Sequence, residues 1–285
     1  MKAYKIIVLA KQVPDTRNVG KDAMKADGTV NRAVLPAIFN PEDLNALEQA
    51  LRIKDQYAGT TVTVLTMGPG RAADIIRESL FRGADSGILL TDRAFAGSDT
   101  LATSYAIGQA LKKMGKIDLI IAGRQAIDGD TAQVGPQVAE KLNLLQVTYV
   151  EEVKELKNDT IVLKRRLDRG VETVKCQLPL VITVNGTAPE CRTRNAKLLM
   201  QYKHAKTATE LQNEKSNEQP DLNIPEWTVN DIETDHSQLG LTGSPTKVKA
   251  IENVVLQAKD SKVISSADAE IENMMIELIK SHTIG

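Results

Sequence analysis

Strand-length apolar runs alternate with amphipathic helical segments along the first two thirds of this chain, and that alternation admits few folds. Tyr4–Ala10 is continuously apolar after Lys5. Thr60–Met67 is rich in β-branched residues, and Gly87–Thr91 and Asp118–Ala122 are short apolar segments. Strands that are apolar on both faces need cover on both sides, which is the arrangement of a mostly parallel sheet between helices.

The intervening segments carry helix signals. Asn40 is placed to cap a helix with Pro41 in its first position and Glu42 and Asp43 in its first turn. Leu44, Leu47 and Leu51 form its buried stripe. Gly68-Pro69-Gly70 turns the second run into a helix with Ala72, Ile76 and Leu80 inward, stopped by Gly83. Ser98 or Asp99 caps the next helix, whose stripe is Ile107, Leu111 and Met114. The Asp118 run ends in the loop Gly123–Asp130, and a helix follows to about Leu142.

The pattern then changes to Gln146–Glu155, Thr160–Leu167, Gly170–Gln177 and Leu180–Asn185, joined by short turns. These read as an antiparallel extension at the edge of the same sheet. Beyond Met200 the stretch Lys203–Pro220 is polar and without apolar period. Apolar islands follow at Ile224–Trp227 and Gly240–Val248, then a capped helix from Ser265 to about Ser281. We divide the chain into an α/β domain over 1–200 and a C-terminal part over 201–285. Two readings of the latter stay open from the residues alone: an extended arm laid on a partner chain, or a small subdomain folded back on the sheet.

Several function classes are disfavoured. The 36 basic and 37 acidic residues nearly cancel, which gives no electrostatic reason to bind nucleic acid or an anionic membrane. Aromatic residues make up 3% of the chain, too few for a base-stacking platform. No apolar run approaches the roughly 18–20 residues of a membrane span, and the first ten residues lack a signal-peptide pattern. We expect a cytoplasmic protein. Cys176 and Cys191 match no zinc or thioredoxin spacing. His204, His236 and His282 are scattered, and neither a nucleophile elbow nor a Walker loop occurs.

Open parallel sheets bind ligands beyond the carboxyl ends of their strands. Three segments leave strands there: Leu9-Ala10-Lys11-Gln12-Val13-Pro14-Asp15, Thr66-Met67-Gly68-Pro69-Gly70, and the loop from Gly123 through Arg124, Gln125, Ala126, Ile127, Asp128, Gly129, Asp130, Thr131, Ala132, Gln133 and Val134 to Gly135-Pro136. The third can aim backbone N–H groups at a phosphate. Asp130 and Gln133 have capping-box spacing, and Pro136 lies too deep for a regular helix starting at Thr131, so an irregular first turn is expected. Asp128 and Asp130 repel phosphate, so one of them should face a ribose hydroxyl or cap the helix. An ordinary strand-to-helix connection fits the same residues. Gly68 to Ala73 matches the loose dinucleotide fingerprint, but Pro69 removes an N–H, and a packing turn lining the pocket fits better.

These residues resemble a known family. Lys11-Gln12-Val13-Pro14-Asp15, Asn40-Pro41, Met67-Gly68-Pro69, the Ala126–Gln133 loop and Gly240-Leu241-Thr242-Gly243-Ser244-Pro245-Thr246 together look like the β subunit of electron transfer flavoprotein, in order and in spacing. The resemblance implies a Rossmann-like adenine-nucleotide-binding fold, a heterodimer with an α subunit that holds FAD, and a C-terminal arm that wraps that subunit. It implies AMP in the β site of ordinary members and a second FAD in bifurcating ones. By position, the pocket would comprise Leu9 and Ala10, Asn40, Pro41, Glu42 and Asp43, Met67 and Gly68, and Gly123 to Val134. The N–H groups of Thr131 to Val134 would hold phosphate, and Leu9 and Met67 would flank the adenine.

The Lys-Gln-Val-Pro-Asp and Asp-Gly-Asp-Thr-Ala-Gln-Val-Gly-Pro stretches look more like bifurcating members. Ordinary members resembling the mitochondrial type tend to carry a Cys-Asn-Gln-Thr version of the loop's second half. FAD is therefore favoured over AMP. The resemblance then implies NADH as donor, with an acyl-CoA dehydrogenase-like flavoprotein and ferredoxin or flavodoxin as acceptors. It places Arg165 and Arg166 near the α subunit's flavin, where they would tune or gate it. One departure concerns the stretch that meets the dehydrogenase, Cys191 to Met200. Ala196 falls where the ordinary branch has a leucine anchor, and Leu198 or Leu199 could replace it after a small register shift. A nucleotide-sensing binding module remains the alternative from another class.

Overall fold

The computed structural model describes residues 2–15, 36–214, 222–246, 263–281 and 283–284. The chain divides into two compact units, Met1–Ala250 and Ile251–Gly285. The first unit begins with β1 (Lys5–Ala10), β2 (Gln12–Pro14) and β3 (Ala37–Phe39). Helix α1 (Pro41–Gln56), β4 (Thr61–Met67), α2 (Ala73–Arg82), β5 (Ser86–Leu90), α3 (Thr100–Lys113), β6 (Leu119–Gly123) and α4 (Val134–Lys141) follow in alternation. Then come β7 (Leu145–Lys157), β8 (Thr160–Leu167), β9 (Gly170–Gln177) and β10 (Leu180–Val184). The unit closes with α5 (Ala196–Tyr202), β11 (Lys206–Thr207), α6 (Ala208–Glu214), β12 (Asn223–Ile224) and β13 (Glu226–Trp227).

The main sheet has the order β13-β5-β4-β1-β6-β10-β7-β8-β9. It is parallel from β13 to β7 and antiparallel through β8 and β9. Alternate residues of β1 enter opposite layers. Ile6 and Val8 pack with Leu47 and Leu51 of α1, and Ile7 and Leu9 pack with Ile107 and Leu111 of α3 and Val138 of α4. Each fully buried aliphatic side chain contributes about 1.5–3 kcal/mol by leaving water. A third cluster joins Ile76 and Leu80 of α2 to Leu89, Ala205 and Ile224.

Helix ends follow their sequence signals unevenly. Gly83 ends α2 at φ 122°, a conformation that side-chain-bearing residues seldom adopt. Asp99, not Ser98, caps α3: its carboxylate accepts from Leu101 N at 2.9 Å and Ala102 N at 3.0 Å. Asn40 sits at the cap position of α1 but makes no side-chain cap bond.

Two further expectations need correction. Strand β10 is not part of the antiparallel edge. It lies inside the sheet between β6 and β7, parallel to both, and its residues are all buried. Its run, apolar but for Thr183, is the sign of an interior strand. The islands after Met200 also lie on this chain's own sheet. Strand β13 extends the sheet beside β5, Trp227 lies under Lys113 Nζ at 4.5 Å, and Ile232 and Leu239 are buried in the α3–α4 layer. The compact units meet at Ala250 and Ile251. Residues 215–221 of the polar stretch, 247–248 of the second island and His282 lie outside the described residues.

The second unit contains α7 (Asp268–Lys280), shorter than the expected Ser265–Ser281. Ser265 does not cap it. Instead Ser265 N donates to Glu270 Oε2 at 2.6 Å. Ile271, Met275 and Ile279 on α7 are exposed.

Candidate functional site

The chain runs outward from β1 through β4 to β5, then crosses back to place β6 on the other side of β1. That reversal opens a crevice at the carboxyl ends of β1 and β6, the usual ligand position in such sheets. Residues from four segments meet there.

The first turn of α1 is bonded to the loop after β6. Asp43 is buried, with Oδ2 accepting from Lys11 N at 2.8 Å and Oδ1 from Gly123 N at 3.0 Å. It thereby ties the exit of β1 to the exit of β6. Burial pushes its carboxyl up to about 7, outweighing the N–H groups that favour the charged form. Glu42 Oε2 accepts from Gln125 N at 2.9 Å, and its Oε1 accepts from Arg124 Nη2 at 3.0 Å. The Asn40 amide donates to Gln125 O at 2.9 Å and accepts from Ile127 N at 3.2 Å. The Asn40 side chain is used on this loop, which explains why it leaves α1 uncapped. Gly123 permits the approach, because a Cβ there would lie 2.7 Å from the Glu42 carbonyl carbon and overlap Asp43 Oδ1.

The second half of the loop departs from the capping-box expectation. Asp128 pairs with Lys11 Nζ at 2.7 Å, and Asp130 accepts from Gln125 Nε2 at 2.8 Å. Neither caps a helix. Asp130 and Ala132 take positive φ, 50° and 53°. Helix α4 begins only at Val134, so Pro136 falls in its first turn, as the irregular start required. Gln133 makes no cap bond. Its Oε1 instead accepts from the Thr100 hydroxyl at 2.8 Å. Gly135 is pressed on β10, where a Cβ would stand 2.6 Å from Thr183 Cγ2. The opening N–H groups of α4 have no intrahelical acceptor and carry the positive end of the helix dipole. Leu9 and Met67 share the apolar layer below α3 and α4, and Ala10 is buried at the end of β1. The Gly68 turn is tight, since a Cβ there would come 3.0 Å from the Ala72 Cβ.

Of the residues expected in the pocket, Asn40, Glu42 and Asp43 are bonded to Gly123, Arg124, Gln125 and Ile127, by contacts that sequence spacing does not show. The crevice has apolar walls in Leu9 and Met67 and the free N–H groups that open α4, which could meet a phosphate. That donor set fits a nucleotide. The remaining expected residues lie elsewhere. Arg165 and Arg166 are on β8. Arg166 Nε bonds Glu151 Oε1 at 2.5 Å, and Glu151 also receives the Thr187 hydroxyl at 2.6 Å. These donors push the Glu151 carboxyl down to about 2. Arg165 keeps a buried Nε without an acceptor among the described residues.

Residues 27–212 match the family model described as the electron transfer flavoprotein domain. The electron transfer flavoprotein subunit beta of Clostridium acetobutylicum is 46% identical over 244 residues, 86% of each chain. This chain belongs to the electron transfer flavoprotein family, as a β subunit. The caffeyl-CoA reductase-Etf complex subunit CarD of Acetobacterium woodii is 43% identical over 244 residues, again 86% of each chain. The acryloyl-CoA reductase electron transfer subunit gamma of Anaerotignum propionicum is 39% identical over 291 residues, covering 98% of this chain and all of its own. A β subunit implies an α partner. No helix among the described residues is long and apolar enough to cross a membrane.

In this β subunit the stretch expected to meet a dehydrogenase lies at the opposite, amino-terminal end of the sheet. It is pinned there by Arg192, which pairs with Glu48 at 2.9 Å and Asp55 at 2.8 Å, and by Asn195 N donating to Phe81 O at 2.8 Å. Asn195 caps α5 through Lys197 N and Leu198 N. Ala196 is exposed, and Leu198 and Leu199 are half-buried. Met200 is the large apolar residue that α5 exposes most, at 61%. The sequence reading passed over it because register, not residue type, decides which side chain faces out. Cys191 and Cys176 are free thiols, and burial pushes Cys191 up to about 11.

Tyr149 was also missed. It stands in β7 at φ 60°, within a register shift that skips from Ile182 to Val184 on β10. Val147 and Val150, both buried, are three apart where an even strand requires two. That spacing is the sequence signal of the bulge.

Proposed function

We propose that this β subunit binds FAD at the β1–β6 crevice and serves flavin-based bifurcation. The observation that carries the reading is the bonding of Asn40, Glu42 and Asp43 to Gly123, Arg124, Gln125 and Ile127. It shapes a nucleotide cradle at the strand reversal. The Thr131–Val134 backbone would hold phosphate, while Leu9 and Met67 would flank the adenine. Flavin in this position supplies the chemistry for taking a hydride from NADH and dividing its two electrons. The acceptors it would serve are an acyl-CoA dehydrogenase-like flavoprotein, by way of the α subunit, and ferredoxin or flavodoxin. Support comes from the Lys11–Asp15 and Asp128–Pro136 stretches and from two relatives whose names join an electron-transfer subunit to an acyl-CoA reductase.

The test is a nucleotide count on the complex of this chain with its α partner, denatured and separated by chromatography. Two FAD and no AMP per heterodimer is the expected result. One FAD with one AMP would make this an ordinary single-path carrier subunit. No adenine nucleotide beyond the α-subunit FAD would sink the site itself. Retention of nucleotide by the chain without any α partner would instead favour a sensing module.

Arg165, in this reading, tunes a flavin of the assembled complex, since its guanidinium is held only by long contacts, to Thr148 at 3.4 Å and Glu172 at 3.9 Å. Arg166 is committed to Glu151 and holds the hairpin. Arg165→Ala should shift a flavin potential, while Arg166→Ala should chiefly lower stability. Redox titration that finds both flavin potentials unmoved in both variants would end the tuning role.

A further inference from the structure

The two sides of the crevice are tied together twice, once in the interior and once at the surface. The inner tie is the Asp43 carboxylate, 6% exposed, which joins Lys11 N at the exit of β1 to Gly123 N at the exit of β6. The outer tie is the Lys11 ammonium, which meets both oxygens of Asp128 in the loop after β6, at 2.8 and 2.7 Å. The side chains of this outer pair are 49% and 22% exposed. Water therefore reaches the second tie and is kept from the first.

The partners of the outer pair are held very differently. Lys11 is a fixed post. Its N–H donates to Asp43, and its carbonyl accepts from Asn40 N at 3.0 Å. The next residue, Gln12, donates to Arg71 O at 3.1 Å, which fixes the same segment to the exit of β4. Asp128 instead opens the less supported half of its loop. Residues 124–127 are bonded to α1 and its cap position by Glu42 and Asn40. Among the described residues, 128–133 are bonded across to neighbouring segments by two side chains, Asp128 on Lys11 and Gln133 on Thr100. Gly129 adds no packing, since nothing lies within 4 Å of its Cβ position. This half carries Asp130 and Ala132 at positive φ and leads directly into the N–H groups that open α4.

We infer that the Lys11–Asp128 pair is an outer latch on the crevice, holding the second half of the loop against the exit of β1 and setting how long a bound adenine nucleotide stays. This inference rests on the cradle reading proposed above. It also gives the first residue of the Lys11–Asp15 stretch a physical role. The inner tie is unsuited to opening, because parting it would orphan two buried N–H groups. The outer pair opens at small cost, because water solvates both charges as they separate. Its opening leaves residues 124–127 in place and frees the half that precedes α4.

The experiment uses the full heterodimer with its α-subunit FAD in place, stripped of any β-site nucleotide. It is reloaded with isotope-labelled AMP or, in a parallel run, labelled FAD, and release is timed after a chase with the same unlabelled nucleotide. Asp128→Asn and Lys11→Met should each speed release about two- to fivefold, the range that an exposed ion pair supports. The double charge reversal, Lys11→Glu with Asp128→Lys, should return release to within about twofold of the wild type. Raising salt from about 0.05 M to about 0.5 M should speed release from the wild type, because screening weakens an exposed pair. It should leave Asp128→Asn unchanged. Wild-type release rates in both single variants would overturn the inference, and so would a double reversal as fast as the single variants. The cradle would stand in either case. A wild-type complex that takes up neither nucleotide would overturn the cradle reading itself.

Discussion

Gly123→Ala should empty the nucleotide cradle and destabilise the protein by about 3–5 kcal/mol, combining overpacking with lost hydrogen bonds. The added Cβ would overlap Asp43 Oδ1 and come 2.7 Å from the Glu42 carbonyl carbon and 2.8 Å from Asp43 N. Two of these three atoms are backbone, so no side-chain rotation relieves the clash. The first turn of α1 has to retreat. As it does, the bonds from Gly123 N to Asp43, from Gln125 N to Glu42 and from Asn40 to Ile127 N all lengthen together. Gly129→Ala in the same loop is the control, since nothing lies within 4 Å of its Cβ position. It should change stability by less than about 0.5 kcal/mol. Urea denaturation and nucleotide content of both variants in the complex would decide the matter. A Gly123→Ala protein as stable and as loaded as the wild type would show that the close approach does not position the loop.

Removing the carboxyl of Asp43 should be comparably severe. Asp43→Ala leaves the N–H groups of Lys11 and Gly123 without their acceptor in a buried place. Each orphaned group costs about 1–3 kcal/mol, so a loss of about 2–6 kcal/mol is expected by urea denaturation. Asp43→Asn adds a pH signature. The carboxyl titrates at about 7 in the fold against 3.8 for its ordinary value. Between those values the folded protein holds a proton that the unfolded chain has released. The contribution of this group to stability is therefore complete below about pH 4 and falls as pH rises toward 7, then levels off. The slope is at most about 1.4 kcal/mol per pH unit. The charged groups around it are Glu42, which raises its pKa, Arg124, paired with Glu42, and Lys11, whose ammonium is engaged by Asp128. The advantage of the wild type over Asp43→Asn should thus shrink from pH 5 to pH 7 and stay constant from pH 7.5 to 8.5. A difference that stays flat from pH 5 to pH 8 would show that the carboxyl does not titrate in that window.

Much of this architecture was legible along the chain because its causes are local. The run Ile6–Leu9 must be covered on both faces whatever lies elsewhere, and Leu47 and Leu51 define a helix face by their spacing alone. Asp99 and Gly83 stop or start helices with their own side chains or backbone freedom. The crevice was legible for a related reason. Strand exits in a parallel sheet converge at one end, so the segments after Ala10, Met67 and Gly123 had to meet.

What failed depended on partners remote in sequence. The interior place of β10 is set by pairing with Leu119–Gly123 and Leu145–Val150, tens of residues away. Asn40 has a cap residue's identity, but its amide is taken by Gln125 and Ile127 across the crevice. Trp227, in an apolar island that could have belonged to an arm, finds β5 and Lys113.

The sequence by itself determined a layered α/β sheet, the strand exits that meet at the crevice, and the kinship to electron transfer flavoprotein β subunits. Periodicity, caps and motif order are properties of consecutive residues. Only the tertiary structure decided that Asp43 bridges two strand exits, that β10 is interior, that Met200 faces outward, and that Tyr149 is held at positive φ beneath Arg124. Each of these depends on which distant backbone or charge arrives opposite a residue, and strand order with burial settles that only when the chain is closed on itself.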